Sequence, residues 1–591
     1  MTKEVKNVAS AKRQWQVFKR LVGYGDKYKF LLVLALLFLF VTTIIQSIIP
    51  RIAKYFIDTY IHPDSYNVSS TVIYILLAYY GLYLLQAIFT YLGKITFSKV
   101  SFGIVRDLRN EAFSKIQKLS MSYFDKTAAG SIVSRLTNDT EAIANMFGVI
   151  FSSFISGTFL IFVSLYSVFS LNYNLGLFLL ALMPLVFACM YYYRKLSVGA
   201  MSATRSKLSE INSKLAESID GMRIIQSFNQ EKRLTEDFEK INSDHTNYYI
   251  KYLKVDSLLL RPALALLKMI AYAILLLYFG FQGEYLGLTA GTMYAFIQYT
   301  NRLFDPMIEL TQSFSAMQTS VVSAERVFEL IDENSYEPKQ NNKDIKINEG
   351  NIEFKNVSFS YDGKRDILKD ISFKINKGET IAFVGHTGSG KSSIINLFMR
   401  FYDFDRGQIL IDGQDIKDYK REELLSKIGL VLQDPFLYHG DIESNIRLFS
   451  KNISDEDIVE AAKFVDAHDF ISRLDGAYKA KVTERGSTYS TGQRQLITFA
   501  RTIAHNPKIL ILDEATANID SETEDLIQAS LSKMRKGRTT IAIAHRLSTI
   551  QDANCIYVLD KGRIIESGSH EDLLALEGTY YKMYLLQTGN K

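Results

Sequence analysis

Long apolar runs fill the first half of the chain and vanish from the second. A membrane-spanning helix rises about 1.5 Å per residue, so roughly 20 apolar residues cover a hydrocarbon core of about 30 Å. Six stretches reach that length: 30–49, 71–92, 147–169, 175–193, 258–281 and 289–312, the last being the least apolar. The connections after the second and the fourth are long, helix-patterned and rich in Lys and Arg, whereas the others are short and poor in both. Basic flanks mark the cytoplasmic side. Both termini are therefore expected in the cytoplasm and the segment 51–70 outside, with the long connections continuing as helices beyond the bilayer. The basic stretch around Trp15, between Lys12 and Arg20, has apolar residues at helical spacing and predicts an amphipathic helix over 1–29 lying along the membrane. The spans and their connections make up an all-α unit over 30–331.

A different pattern follows. Residues 332–350 are polar, with Pro338, Asn341 and Asn342, and read as a linker. From 351 to 591, short β-branched strands alternate with helical stretches, as in an α/β nucleotide-binding domain.

Composition agrees with two solvents in one chain. Its 591 residues exceed one compact domain, and 48% hydrophobic against 22% charged residues is an average over two unlike halves. The 68 Lys and Arg exceed the 63 Asp and Glu by too little to imply nucleic acid as a partner, and suit membrane-flank charge instead. Two cysteines, Cys189 and Cys555, support neither a disulfide framework nor a thiolate metal site. No cleavage site follows the first apolar run, so a removable signal peptide is not expected.

Chemistry concentrates in the second half. TIAFVGHTGSGKSS places an apolar strand directly before Gly385, His386, Thr387, Gly388, Ser389, Gly390, Lys391, Ser392 and Ser393, followed by a helix. This is the P-loop template in its required context. The glycines let backbone N–H groups wrap the phosphates of ATP, Lys391 offers a point charge to the β- and γ-oxygens, and Ser392 is placed to ligate Mg²⁺. A second apolar strand ends in Asp513 and Glu514. Asp513 suits the Mg²⁺ shell, and Glu514 can polarise a water for in-line attack on the γ-phosphate. In the apolar half, Lys268 falls within the fifth run, and Arg302, Asp305 and Glu309 share a face of the sixth. Lys268, Asp305 and Glu309 are candidates for lining an aqueous cavity; the alternative is that Lys268 pairs with Asp305 or Glu309 to tie two helices together.

Further motifs fall in a telling order: Tyr361 in FSYDG, the P-loop, Gln433 in LQDP, YSTGQRQL, DEATANID and His545. Together with YFDKTAAGSIVSRLTNDT in the first long connection and SAERVFELID after the sixth run, they resemble the type IV ABC exporters over nearly the whole chain. That resemblance implies a six-helix polytopic transmembrane domain fused to an α/β P-loop NTPase with an antiparallel β subdomain and a helical subdomain. It further implies that Tyr361 stacks on adenine, Gln433 reaches the metal and the attacking water, and His545 grips the γ-phosphate. Ser490, Thr491, Gly492 and Gln493 would contact ATP held by a second subunit, beside a D-loop containing Asp520. The implied activity is ATP-driven export of amphipathic small molecules across the lipid bilayer of the bacterial plasma membrane, with a homodimeric lipid flippase or an ATP-gated channel as alternatives. Tyr489 and Thr491 depart from the common LSGGQ signature, and residues 517–520 from the common D-loop. This resembles the catalytic-Glu subunit of heterodimeric multidrug exporters, so a different half-transporter is the expected partner and a second copy the alternative.

Overall fold

The computed structural model describes residues 11–61, 70–286, 289–404, 406–513, 521–544 and 547–588. They form two compact units, one comprising residues up to 117 together with 128–333, the other 118–127 together with 334 onward.

The first unit is helical. Its main helices are Ala11–Gly23, Lys29–Tyr60, Ser70–Ile116, Ala129–Leu171, Tyr173–Asp220, Glu231–Leu259, Arg261–Leu286 and Ala290–Ile331. Among the described residues, five helical runs are long and apolar enough to cross a membrane: Lys12–Tyr60, Ser70–Ile116, Ala129–Leu171, Tyr173–Asp220 and Glu231–Phe281. The stretch expected as a sixth apolar run is a helix of 42 residues, Ala290–Ile331. It falls short on composition because Gln298, Asn301, Arg302 and Asp305 interrupt it. What holds it is burial in protein: Phe296, Tyr299, Leu303, Phe304 and Met307 pack with Leu179, Leu264 and Ala271 in one apolar cluster.

Both long basic connections are helices running on from the apolar spans, as Ser70–Ile116 and Tyr173–Asp220 each extend unbroken for 47 and 48 residues. Lys207 joins Glu210 at 3.0 Å and Asp244 at 3.1 Å, fastening the second extension to the returning helix Glu231–Leu259. The N-terminal helix Ala11–Gly23 carries an exposed Trp15 and is pinned by ion pairs to the end of the last long helix. Arg20 grips Asp332 through two bonds of 2.5 and 2.9 Å, and Arg13 reaches Glu329 at 3.0 Å. Two-point Arg–carboxylate geometry fixes orientation as well as distance.

The second unit has twelve strands among its described residues: β1 Ile352–Phe359, β2 Leu368–Ile375, β3 Thr380–Val384, β4 Arg406–Ile411, β5 Gln414–Asp415, β6 Ile428–Val431, β7 Gly440–Asp441, β8 Lys481–Val482, β9 Ile509–Asp513, β10 Thr539–Ile543, β11 Cys555–Asp560 and β12 Arg563–Gly568. A four-stranded antiparallel sheet has the order β2-β1-β4-β5, and a six-stranded sheet the order β12-β11-β3-β10-β9-β6. In the latter, β11, β3, β10, β9 and β6 are parallel. Strands buried on both faces read as unbroken apolar runs, and ILIL in β9 and TIAI in β10 are fully buried. A helical region, including Asp455–Phe464 and Thr491–Ala504, packs Ile458, Leu496 and Phe499 into an apolar cluster shared with Ala382 of β3, Leu512 of β9 and Val558 of β11.

Residues that the sequence presents as a linker are strapped to this unit. Asn341 and Lys343 donate backbone N–H groups to the carbonyls of Lys417 and Asp418 at 2.7 and 2.8 Å. The segment ends in a nest of four backbone N–H groups, from Asn348, Glu349, Gly350 and Asn351, which converge on the Asp412 carboxylate at 2.8–2.9 Å. Burial raises the pKa of Asp412, but these four bonds outweigh it and hold the group below the ordinary carboxylate range. A group so lowered contributes stability that is complete above the unfolded value of about 4 and is lost as pH falls through its folded value. Asp412→Asn is therefore expected to destabilise the nucleotide unit by roughly 1.5–3 kcal/mol near neutrality. The check is the unfolding midpoint of the purified chain; equal midpoints for variant and wild type at pH 7 would contradict it.

Candidate nucleotide-binding site

The parallel sheet brings separate motifs to one edge. Ala382 of β3, Ala542 of β10, Leu512 of β9 and Val431 of β6 lie side by side in register. The chain leaves this row in one direction: into the P-loop at Gly385, to Asp513 one residue beyond Leu512, and to Gln433 two residues beyond Val431. Ligands of open α/β sheets bind outside the carboxyl ends of the strands, and this edge is such a place. Glu514, Asp520 and His545 lie outside the described residues.

The P-loop geometry depends on two glycines. Gly385 has φ 151°, and a Cβ there would lie 2.3 Å from the carbonyl oxygen of Leu559. Gly390 has φ 110°, and its Cβ would meet Leu368 Cδ2 at 2.7 Å. With no side chains in the way, the loop closes on itself through Ser389 N–H to the His386 carbonyl at 3.1 Å and hands over to the helix Lys391–Phe398. Lys391 Nζ bends back to donate to the carbonyl oxygens of Gly385 and His386 at 2.7 and 3.3 Å. His386, Thr387 and Gly388 are exposed at the loop crest, as is Ser392 in the first helical turn.

Ser389 differs from its neighbours. Its hydroxyl oxygen is buried and has no hydrogen-bond partner. An orphaned buried polar atom costs about 1–3 kcal/mol, so its presence in a P-loop suits an anion's oxygen. This is the local observation that fits a nucleotide phosphate to the loop.

Beside the loop, Tyr361 accepts from Asn396 Nδ2 at 3.1 Å and shares a hydrogen bond of 3.0 Å with Ser393 Oγ. Ser393 thus faces Tyr361 instead of the loop crest. Tyr361 stands edge-on to Phe359 and to Tyr402, with ring centres 4.7 and 4.8 Å apart. Sequence reasoning missed the next contact: Tyr402 donates its hydroxyl to Asp125, on the short helix Met121–Lys126. Burial and then this carboxylate push the Tyr402 phenol well above its usual value, so it stays protonated as a donor. Segment 118–127 comes from the first long connection yet belongs to the nucleotide unit, and Ser120 N–H also bonds the carbonyl of Ser335 at 2.8 Å. Only the Phe-Asp pair in YFDK could have hinted at it.

The signature residues form a helix start. Ser490 caps Thr491–Ala504 in a reciprocal box, accepting from Gln493 N–H at 3.2 Å while Gln493 Oε1 accepts from Ser490 N–H at 3.1 Å. Tyr489 is only 8% exposed, sits in the core of the helical region, and donates its hydroxyl to the Lys481 carbonyl at 3.1 Å. It therefore fills leucine's place as packing. Thr491 occupies the first helical position, and its hydroxyl meets Arg494 Nη2 at 3.3 Å, so this residue adds bulk and a polar group at the helix tip.

Comparison with known proteins decides the family. Residues 32–307 match the family model of the ABC transporter transmembrane region, and residues 368–517 match that of the ABC transporter. The Streptococcus pneumoniae ABC transporter ATP-binding protein exp8 is 61% identical over 98% of both chains. This chain belongs to the ABC transporter family. A Bacillus subtilis relative named as a multidrug resistance ABC transporter ATP-binding/permease protein, YheH, is 43% identical over 88% of this chain and 77% of its own. A bacterial Atm1-family ABC exporter solved with ATP bound superposes with a TM-score of 0.77 at 29% identity, covering 94% of this chain and 99% of that one. The chain is thus an ABC transporter whose ATPase is coupled to transport, built on the exporter fold and carried by a multi-pass membrane protein.

In the apolar half of this ABC transporter, Lys268 Nζ lies 3.4 Å from Asp305 Oδ1, while Glu309 is exposed and outside the pair. The geometry has the form of a tie between two helices.

Ser389→Ala removes the orphaned hydroxyl. Without nucleotide the variant is expected to be as stable as wild type or slightly more so, and to bind ATP about tenfold more weakly. Nucleotide titration followed by thermal unfolding reads both quantities, and unchanged ATP affinity would overturn the assignment of this hydroxyl to a phosphate.

Proposed function

We propose that this chain is the catalytic-glutamate subunit of a heterodimeric exporter of amphipathic drugs, working across a bacterial plasma membrane with both termini in the cytoplasm. The observation that carries it is the sheet edge described above: a P-loop with an orphaned Ser389 hydroxyl, beside Asp513 and Gln433, in one chain with long apolar helices. ABC exporters act as dimers in a lipid bilayer, and this chain supplies one helical and one nucleotide unit.

ATP would be held with its base against Tyr361 and its phosphates in residues 385–392. Lys391 exchanges its two carbonyl contacts for phosphate oxygens, a short move for a flexible side chain. Ser392, Asp513 and Gln433 would hold Mg²⁺, which when bound supplies positive charge against the β- and γ-oxygens. Glu514 orients the attacking water and accepts its proton, while His545 steadies the γ-phosphate. The tip of the helix Thr491–Ala504, with Ser490, Gly492 and Gln493, faces the partner's ATP, where a helix N-terminus favours an anion. Asp520 would line that same junction. Closure around two nucleotides then drives the transmembrane halves, and hydrolysis releases them.

Support for two unlike subunits comes from Thr491. Since Tyr489 is packing, the departure that matters is a branched residue at a helix tip that would approach the partner's γ-phosphate. One site would then hydrolyse well and the other poorly. Purified alone in vesicles, this chain is expected to show little rhodamine 6G-stimulated ATPase. Co-purified with a second half-transporter bearing an intact signature, it should gain at least tenfold. Robust stimulation of the chain by itself would point to a homodimer instead.

A further inference from the structure

The helix that falls short of membrane apolarity carries a guanidinium that nothing in its surroundings neutralises. Arg302 lies 12 residues into Ala290–Ile331, about 18 Å along its axis. Its Nη1 is buried and makes no hydrogen bond, and among the described residues it has no ion-pair partner. The nearby carboxylates are otherwise engaged or exposed: Asp305 faces Lys268, Asp58 takes Lys54 at 3.0 Å and Thr289 at 2.6 Å, and Glu309 is solvent-facing.

What surrounds Arg302 is phenolic. Tyr299 and Tyr294 precede it by three and eight residues on its own helix, and Tyr79 and Tyr83 come from a helix packed against that one. Tyr79 and Tyr83 stand on Ser70–Ile116, 9 and 13 residues from its start, or about 14 and 20 Å, which brackets the depth of Arg302. Their hydroxyls are 3.4 Å apart and their rings meet edge-on with centres at 5.1 Å. Tyr299 is fully buried and spends its proton on the Ser47 carbonyl, which fixes its ring in place.

A charge inside a span costs about 2.5–3.5 kcal/mol on insertion scales unless protein or water repays it, and such a charge marks a substrate path by default. Four neutral phenols do not repay it in full. A phenol oxygen can accept as well as donate, but it is neutral, so the cluster holds no acceptor whose charge matches the guanidinium. An incoming oxyanion supplies what is missing. The planar guanidinium matches a carboxylate, sulfonate or phosphate in two-point geometry, and aromatic faces beside it accept an apolar body.

We infer that Arg302, with the hydroxyls of Tyr79 and Tyr83, forms a binding site for the oxyanion of an amphipathic substrate, so that this transporter accepts organic anions. This deepens the reading of the chain as an exporter of amphipaths and rests on it. The oxyanion could belong to a free organic acid or to a lipid headgroup.

The test uses the assembled transporter, isolated through a tag on this chain and placed in phosphatidylcholine nanodiscs without nucleotide. Fluorescein, which carries a carboxylate, is compared with rhodamine 6G, a cationic ester on the same xanthene frame, by fluorescence anisotropy. Arg302→Gln is expected to weaken fluorescein binding by about tenfold or more while rhodamine 6G changes by less than about twofold. Arg302→Lys keeps the charge and loses the fork, so an intermediate loss of about threefold or more is expected; it stands in should Arg302→Gln fail to assemble. Competition by added phosphatidylglycerol assigns the site to a lipid headgroup, and no competition assigns it to free organic acids. Failure of wild type to bind fluorescein, or unchanged binding in either variant, overturns the inference. ATP-driven rhodamine 6G export by the same preparation is scored separately, so loss of that export would count against the multidrug reading alone.

Discussion

Everything in the nucleotide unit turns on the absence of a side chain at one position. The carbonyl of Leu559 comes so near to Gly385 that a methyl group would sit 2.3 Å from it. Because nothing is there, the chain leaving β3 can turn at φ 151° into the P-loop. The β-sheet supplies the platform: four parallel strands end in register, so the loop, Asp513 and Gln433 share one edge although they are far apart in sequence. Helix and loop then present donors to an anion before it arrives, and Ser389 pays for that preparation with an unmet hydroxyl.

Much of this was legible in the sequence because it depends on local rules. An apolar strand followed by glycines, lysine and serine can hardly be anything but a phosphate loop, and Asp513 follows its strand just as directly. The long basic connections were legible for the same reason, since helical periodicity persists beyond the apolar runs. What escaped was long-range. Nothing local says that Asp412 gathers four N–H groups from residues 348–351, which turns a polar, linker-like stretch into a strap. Nor does sequence say that Tyr402 reaches Asp125, or that Tyr489 is packing while Thr491 stands at the helix tip. The sixth helix was legible in extent but weaker in apolarity than a span requires, because its polar residues answer to neighbours that sequence spacing cannot see.

The polar residues of that helix divide by their partners. Asp305 has Lys268, whereas Arg302 Nη1 is buried without a hydrogen-bond partner and the residue has no ion-pair partner among the described residues. A paired charge in a helical bundle holds helices together, while an unneutralised one invites a ligand, and the two occur within one turn of each other. Likewise Asp125 on the short helix Met121–Lys126 touches Tyr402, which touches Tyr361. That contact chain runs from Tyr361 to the short helix Met121–Lys126 and lies wholly within the nucleotide unit.

The central claim is that nucleotide held at this sheet edge drives vectorial movement. The direct measurement is ATP-dependent accumulation of rhodamine 6G in inverted membrane vesicles containing the assembled transporter, with and without combined Lys391→Ala and Glu514→Gln replacement. Accumulation is expected in the wild type and should fall to the level without ATP in the folded, membrane-inserted double variant. Undiminished accumulation in that variant would contradict the account.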